Sequence, residues 1–266
     1  MKVYFKKFVH ALLAAFGGVC LLLTAGCAHL ERPYTYYEFD GLFVFYKTQD
    51  TAAYRELLPD VFDMPDEPLM MAFVMDYYKM NKGTEPYREV AVSLLAKYKG
   101  KTGWHCLVMP VTTDDARVKG IKYLGFPKIM GDINLVREAS TYTGTLKLNH
   151  QTVMTLELAA KEKDGVSLSE AQWFEKLWGL PNFNLLNGKI YEPDFGGKTN
   201  LLEVSRIYPD RIIVKTGSAR ILRDPQAAGA HSERLAKVFG VRPSEVVLAY
   251  YFKNTFPVSF GRGAFR

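Results

Sequence analysis

The feature that most restricts this chain is a recurrence of short apolar runs broken by tight polar turns, from Gly41 almost to the C-terminus. "GLFVFYK" (41–47), "LMMAFVMDYY" (69–78), "REVAVSLLAKY" (88–98) and "WHCLVMPV" (104–111) are short and rich in β-branched and aromatic residues. Such runs read as strands. The turns "KMNKGTEPY" and "KGKTG" between them have the make-up of hairpin connections. Further strands are expected in "INLVREA", "TYTGTLKLN" and "QTVMTLELAAK", with period-2 alternation clearest in "TGTLKLN". "FNLLNGKIY", "LLEVSRIYP", "DRIIVKTGSARIL" and "EVVLAYYFKNTF" extend the strand series.

Helices punctuate this pattern. Asp50 is placed to cap "TAAYREL", with Pro59 ending the helix, and Thr113 to cap "DDARVKG", which has acids in its first turn. "SLSEAQWFEKLW" reads as a helix capped by Ser169, with Trp173, Leu177 and Trp178 on its apolar side, and "SERLAKVFG" as another. About ten strands with a few short helices make a mainly β (α+β) fold, an antiparallel β-barrel or sandwich with helical decoration. No linker, repeat or low-complexity tract divides it, so one domain is expected over residues 40–266.

The N-terminus reads differently. Lys2, Lys6 and Lys7 form a basic region, and residues 8–23 are almost unbroken apolar sequence ending in "LLTAGC". This resembles a bacterial lipobox, which implies a signal peptide over residues 1–26, lipidation of Cys27 and a tether over residues 27–39. Lipid chains would then anchor the protein to a membrane that it does not span, on the periplasmic side. Ala28 after the cysteine favours the outer membrane. Loss of the signal removes three lysines and no acid, which halves the formal charge of +6. The remaining balance is too mild for a nucleic-acid partner, and no basic run is interleaved with aromatics. Cys20 leaves with the signal and Cys27 is lipidated, so Cys106 has no partner for an intrachain disulfide.

Most site chemistries find no support in the residues. His10, His29, His105, His150 and His231 are scattered, with no metal-ligand spacing, so neither a metal nor a cofactor is expected. His105 and Cys106, adjacent on a strand, point to opposite faces and make no site together. There is no nucleophile elbow or phosphate loop, and "FGRGAF" lacks the strand-to-helix setting of a dinucleotide fingerprint. Glu162 and Asp164 read as a solvated turn. What stands out is Lys128 in "GIKYLGFPKIMGDINL", an amine flanked by Phe126, Pro127, Ile129 and Met130. Apolar neighbours suit an amine that must react uncharged, because desolvation penalises the charged form.

"LGFPKIMGDI" resembles the active-site segment of the acetoacetate decarboxylase family, in which a lysine following proline forms a Schiff base. "YREVAVSL" is similar to the family's Y-x-E strand, and "LPNFNLLNGKIYEPDFGGKTNLLEVSRI" to its R-P-N-Y segment and the strand after it. The resemblance covers residues 34–256. It implies that Lys128 is the nucleophile and Glu89 an acid–base or orienting group, with a small keto acid as substrate and a homo-oligomer possible as the assembly. Lys128 and Glu89 are expected to converge inside the barrel, with Phe126, Ile129 and Met130 lining the pocket and excluding water. Two positions depart from the family pattern. Ile129 stands where a second lysine follows the nucleophile, and Phe39 where a pocket arginine stands, with Arg88 or Lys122 as candidate replacement cations. The resemblance therefore leaves three readings open: a β-keto acid decarboxylase, a Schiff-base enzyme with an aldol or dehydration step, and a non-catalytic ligand-binding barrel.

Overall fold

The computed structural model describes residues 35–81, 83–161, 166–177, 179–194, 201–259 and 263–266, all within one compact unit. The signal segment, Cys27, the first part of the tether, the Glu162–Asp164 turn and Trp178 lie outside these residues. In chain order the elements are β1 (Thr35–Lys47), α1 (Thr51–Leu57), β2 (Leu69–Met80), β3 (Tyr87–Tyr98), β4 (Lys101–Val111), α2 (Asp114–Leu124) and β5 (Lys128–Met130). They continue as β6 (Asp132–Glu138), β7 (Thr141–Leu148), β8 (Gln151–Ala160), α3 (Leu168–Leu177), β9 (Asn184–Leu186), β10 (Lys189–Glu192) and α4 (Leu201–Ile207). The last are β11 (Ile212–Arg223), α5 (Pro225–Gly229), α6 (Glu233–Gly240), β12 (Glu245–Asn254), β13 (Val258–Ser259) and β14 (Ala264–Phe265).

The strands form an 11-stranded sheet ordered β5-β4-β3-β2-β1-β12-β11-β8-β7-β6, with β13 added beside β1, and a small sheet β14-β10-β9. Pairing is antiparallel except between β4 and β5. The large sheet folds over on itself, so that β6 packs on β2 and β3, and β7 and β8 pack on β1. The end strands β5 and β6 are not hydrogen-bonded to each other, so the expected barrel or sandwich is an open, doubled-over sheet rather than a closed barrel.

Strand parity divides the labour. In β1 to β3 and β12, Leu42, Val44, Met70, Ala72, Val74, Val90, Val92 and Ala249 point between the folded halves. There they meet Ile133, Leu135, Leu146, Leu156 and Leu158 in the main core. Residues of opposite parity, Phe39, Phe45, Met71, Met75, Leu248, Tyr250 and Phe252, form a second apolar layer that takes in Phe174 and Leu177 of α3 and Leu202 of α4. The alternation that a strand imposes thus gives this sheet two apolar faces.

Several local expectations change. β1 begins at Thr35, where it pairs with Ser259, so residues 35–39 are strand and not tether. "LLEVSRI" is the helix α4, not a strand. Its Leu, Glu and Arg are good helix formers, and Ser205 Oγ donates to the Leu202 carbonyl at 2.9 Å, as in a helical turn. The cap of α3 is Ser167, not Ser169. The Glu170 N–H donates to Ser167 Oγ while Glu170 Oε2 accepts from the Ser167 N–H, a reciprocal capping box. Asp50 and Thr113 cap α1 and α2 as expected, accepting from the N–H groups of Ala53 and Ala116. "FNLLNGKIY" is a hairpin rather than one strand, because Asn187 and Gly188 both take positive φ, 52° and 73°.

Candidate functional site

Lys128 reaches its position through three backbone devices. Helix α2 stops at Gly125, whose φ of 67° turns the chain back on itself. Pro127 then fixes the next bend. Its carbonyl accepts from the Met109 N–H at 3.0 Å, while the Lys128 N–H donates to the Phe126 carbonyl at 2.8 Å. Three residues of parallel strand, with Lys128 in register with Met109, lock the amine beside β4. The helix just traversed leaves room for it. A Cβ on Gly120 would lie 2.4 Å from Lys128 Cε and 3.0 Å from Nζ.

Glu89 arrives from β3. Its parity directs it to the face opposite the main core, since Val90 and Val92 point into that core. Lys128 Nζ donates to Glu89 Oε2 at 2.6 Å, and the two residues are 7% and 5% exposed. Nζ lies 5.3 Å from the centre of the Tyr87 ring and 6.0 Å from that of Phe126. The Tyr87 and Tyr36 hydroxyls are 3.0 Å apart, and burial raises Tyr87 well above the usual phenol range. Cys106 lies on the same side of β4. Burial pushes its thiol up to about 12, with the Glu89 charge adding to the rise, so it is a neutral thiol and not a nucleophile.

The pair opens on a cavity of about 640 Å³. Its walls are Tyr36 and the odd positions from Phe39 on in β1, the odd positions of β2, Tyr87, Glu89 and Ser93 of β3, Trp104 and Met109 of β4, the Lys128 turn, the Tyr250 side of β12, and residues of α3, α4 and the segment after β12. The cavity therefore lies on the outer face of the sheet, under α3 and α4. The expected place inside the barrel is filled by the main core. Phe126 lines the cavity as expected, but Ile129 and Met130 do not. Alternation along β5 sends Ile129 towards the main core, and Met130 is 44% exposed. Phe39 is in the wall. The proposed replacement cations are elsewhere: Arg88 pairs with Asp76 at 3.3 Å, and Lys122 sits over the ring of Tyr123.

The aromatic wall was not anticipated, although its signal was present. Phe39, Phe43 and Phe45 alternate in "FDGLFVFY", as do Tyr250 and Phe252 in "YYF", with the period of one strand face. His105, on the opposite face from Cys106, hydrogen-bonds through Nδ1 to the Phe183 carbonyl at 2.8 Å. Among the described residues, no group of three or more His, Cys, Asp or Glu is arranged to hold a metal ion. No helix among them is long and apolar enough to cross a membrane.

A buried amine in contact with a carboxylate can pass its proton to that carboxylate and attack a carbonyl carbon. Comparison with known proteins points the same way. Residues 28–266 match the acetoacetate decarboxylase (ADC) family. The chain is 27% identical to acetoacetate decarboxylase 3 of Mesorhizobium japonicum over 237 residues, which cover 86% of this chain and 84% of that protein. In fold it is similar to the acetoacetate decarboxylase of Legionella pneumophila, with a TM-score of 0.68 and 17% identity, covering 89% of this chain and 88% of that one. It is also similar in fold to the enduracididine biosynthesis enzyme MppR complexed with pyruvate, with a TM-score of 0.63 and 14% identity, covering 91% and 93%. The family match spans the whole of the chain that follows Cys27, and on that ground the protein belongs to the acetoacetate decarboxylase family.

Proposed function

We propose that this protein is a Schiff-base enzyme that decarboxylates a β-keto acid through Lys128. The observation that carries the reading is the Lys128–Glu89 contact, buried at the wall of an apolar cavity. Glu89 takes a proton from the ammonium, and the neutral amine attacks the ketone carbon. Loss of water from the carbinolamine leaves a protonated iminium. The bond to the carboxylate then breaks, its electron pair moves to the iminium nitrogen through the new enamine double bond, and carbon dioxide leaves. Glu89, having given its first proton to the departing hydroxyl as water left, takes another from solvent and delivers it to the enamine carbon, and water hydrolyses the resulting iminium to free ketone and amine. The dry wall strengthens each charge interaction in this sequence.

Borohydride trapping of the full-length protein with β-keto acids tests the reading. The expected result is a reduced adduct on Lys128 with release of carbon dioxide, both abolished in Lys128→Ala. An adduct without carbon dioxide would assign a different Schiff-base reaction. No adduct with any carbonyl compound, in folded protein, would leave a ligand-binding protein.

The N-terminal sequence supports a second part of the proposal, that the enzyme is held on the periplasmic side of a bacterial membrane by lipid on Cys27. Cys27→Ala is expected to abolish incorporation of labelled fatty acid in cells; unchanged labelling would remove the anchor.

A further inference from the structure

The cavity wall carries more information than the reaction uses. An unbroken run of ring contacts begins beside the amine and continues around the cavity wall. From Tyr87 it passes to Tyr77 at 4.9 Å, Phe39 at 5.7 Å and Phe252 at 5.8 Å. It continues to Phe43 at 5.7 Å, Phe45 at 6.3 Å and Trp104 at 5.7 Å. All seven rings line the cavity. Among the described lining residues the charged side chains are Lys128 and Glu89, and these two are paired with each other. The cavity is thus amphipathic, with one charged, reactive pair in a wall otherwise dominated by aromatic and apolar side chains.

A short acid such as acetoacetate fits this shape poorly. Its carboxylate would lie close to Glu89, with no second cation among the described lining residues to receive it, and the rest of the cavity would stay full of water. A volume of about 640 Å³ is within the range of pockets that enclose drug-sized ligands. We propose that the site selects keto compounds with an extended apolar body, such as β-keto acids or ketones bearing a long aliphatic chain or an aryl group. This inference rests on the reading of Lys128 as the carbonyl-trapping amine. The carbonyl is held at Lys128 while the body lies along the ring path. Burial of that body offsets the cost of taking the polar head out of water.

The test is a chain-length series of 3-oxo acids, from acetoacetate to 3-oxododecanoate, turned over by the full-length protein. Specificity, as kcat/KM for carbon dioxide release, is expected to rise about fourfold per added methylene, equivalent to about 0.8 kcal/mol each, until the cavity is filled. A flat series, or acetoacetate as the best substrate, would overturn the proposal. Calorimetric binding of 2-alkanones to Lys128→Ala, which cannot form the iminium, separates the two readings. Affinity is expected to rise with chain length there too, and its failure to do so would also overturn the proposal. If wild-type protein traps none of the acids while that length dependence persists, the catalytic reading fails and the ligand class stands.

Discussion

A buried amine and a buried carboxylate are costly to assemble, because each loses its hydration and only the other returns part of it. Lys128 and Glu89 bear that cost at 2.6 Å, with aromatic rings on the cavity side. His105, one strand position from Cys106, is buried for a different purpose. Burial, with a smaller contribution from the Arg234 charge, lowers its pKa from 6.5 to about 4, against the hydrogen bond to Phe183. The unfolded chain therefore binds the proton more readily in that interval. The stability due to the neutral ring is complete above about 6.5 and is lost as pH falls towards about 4. The whole contribution is about 3 kcal/mol. Urea unfolding of wild type and His105→Gln at both ends of the interval is expected to show the wild type losing more stability on acidification; parallel pH profiles would contradict this. At this scale Lys128 and Phe126 stood out because they belong to one short motif, whereas Glu89, 39 residues away on another strand, was singled out only through the family resemblance. The roles expected of Ile129 and Met130 failed for a physical reason. In an extended strand the adjacent residue, Ile129, turns to the opposite face, while Met130 shares the parity of Lys128 but ends the short strand exposed, so the groups that shield the amine come from elsewhere in the chain.

Helix α2 shows how an element can serve one atom. Gly120 sits in its last turns with Lys128 Cε where its own Cβ would be. Gly120→Ala raises helix propensity by about 1 kcal/mol while forcing the flexible lysine aside. Thermal stability is expected to hold or rise, and the rate of borohydride trapping to fall about 100-fold, as for a misplacement of about 1 Å. Unchanged trapping would mean that the amine has room to spare. Two elements differ from the sequence expectation because local signals compete there. The apolar–polar alternation of "LEVSRI" suggests a strand, yet its good helix formers prevail, and the Asn187-Gly188 turn divides an otherwise apolar run. Helix α5 was not expected, although Asp224 followed by Pro225 is a cap and first-turn pair, with Asp224 Oδ1 accepting from two backbone N–H groups.

The whole molecule depends on a sheet that doubles over itself, and one cluster pins the fold. Arg137 of β6 spans to Asp40 on β1 and Asp76 on β2, while the Tyr251 hydroxyl donates to Asp40 at 2.6 Å. Asp40 is 2% exposed, so Arg137→Met would leave a buried carboxylate without its cation. The expected loss is about 3 kcal/mol in denaturant unfolding, partly restored by adding Asp40→Asn. An unaffected midpoint would show that the cluster is dispensable. None of this was readable from one sequence. The strand count and the antiparallel character follow from composition and turns, but the register that brings β1 between β2 and β12 depends on contacts between residues far apart in the chain. The same topology gives the molecule an optical property. Trp104 is buried in the cavity wall, while Trp173 is not part of that wall and lies beside Lys47 and Lys176. A guest in the cavity would change the surroundings of the Trp104 indole, whereas Trp173 lies outside the cavity wall. Intrinsic fluorescence is therefore expected to respond to occupancy through Trp104, and its loss of response in Trp104→Phe would identify that indole as the reporter.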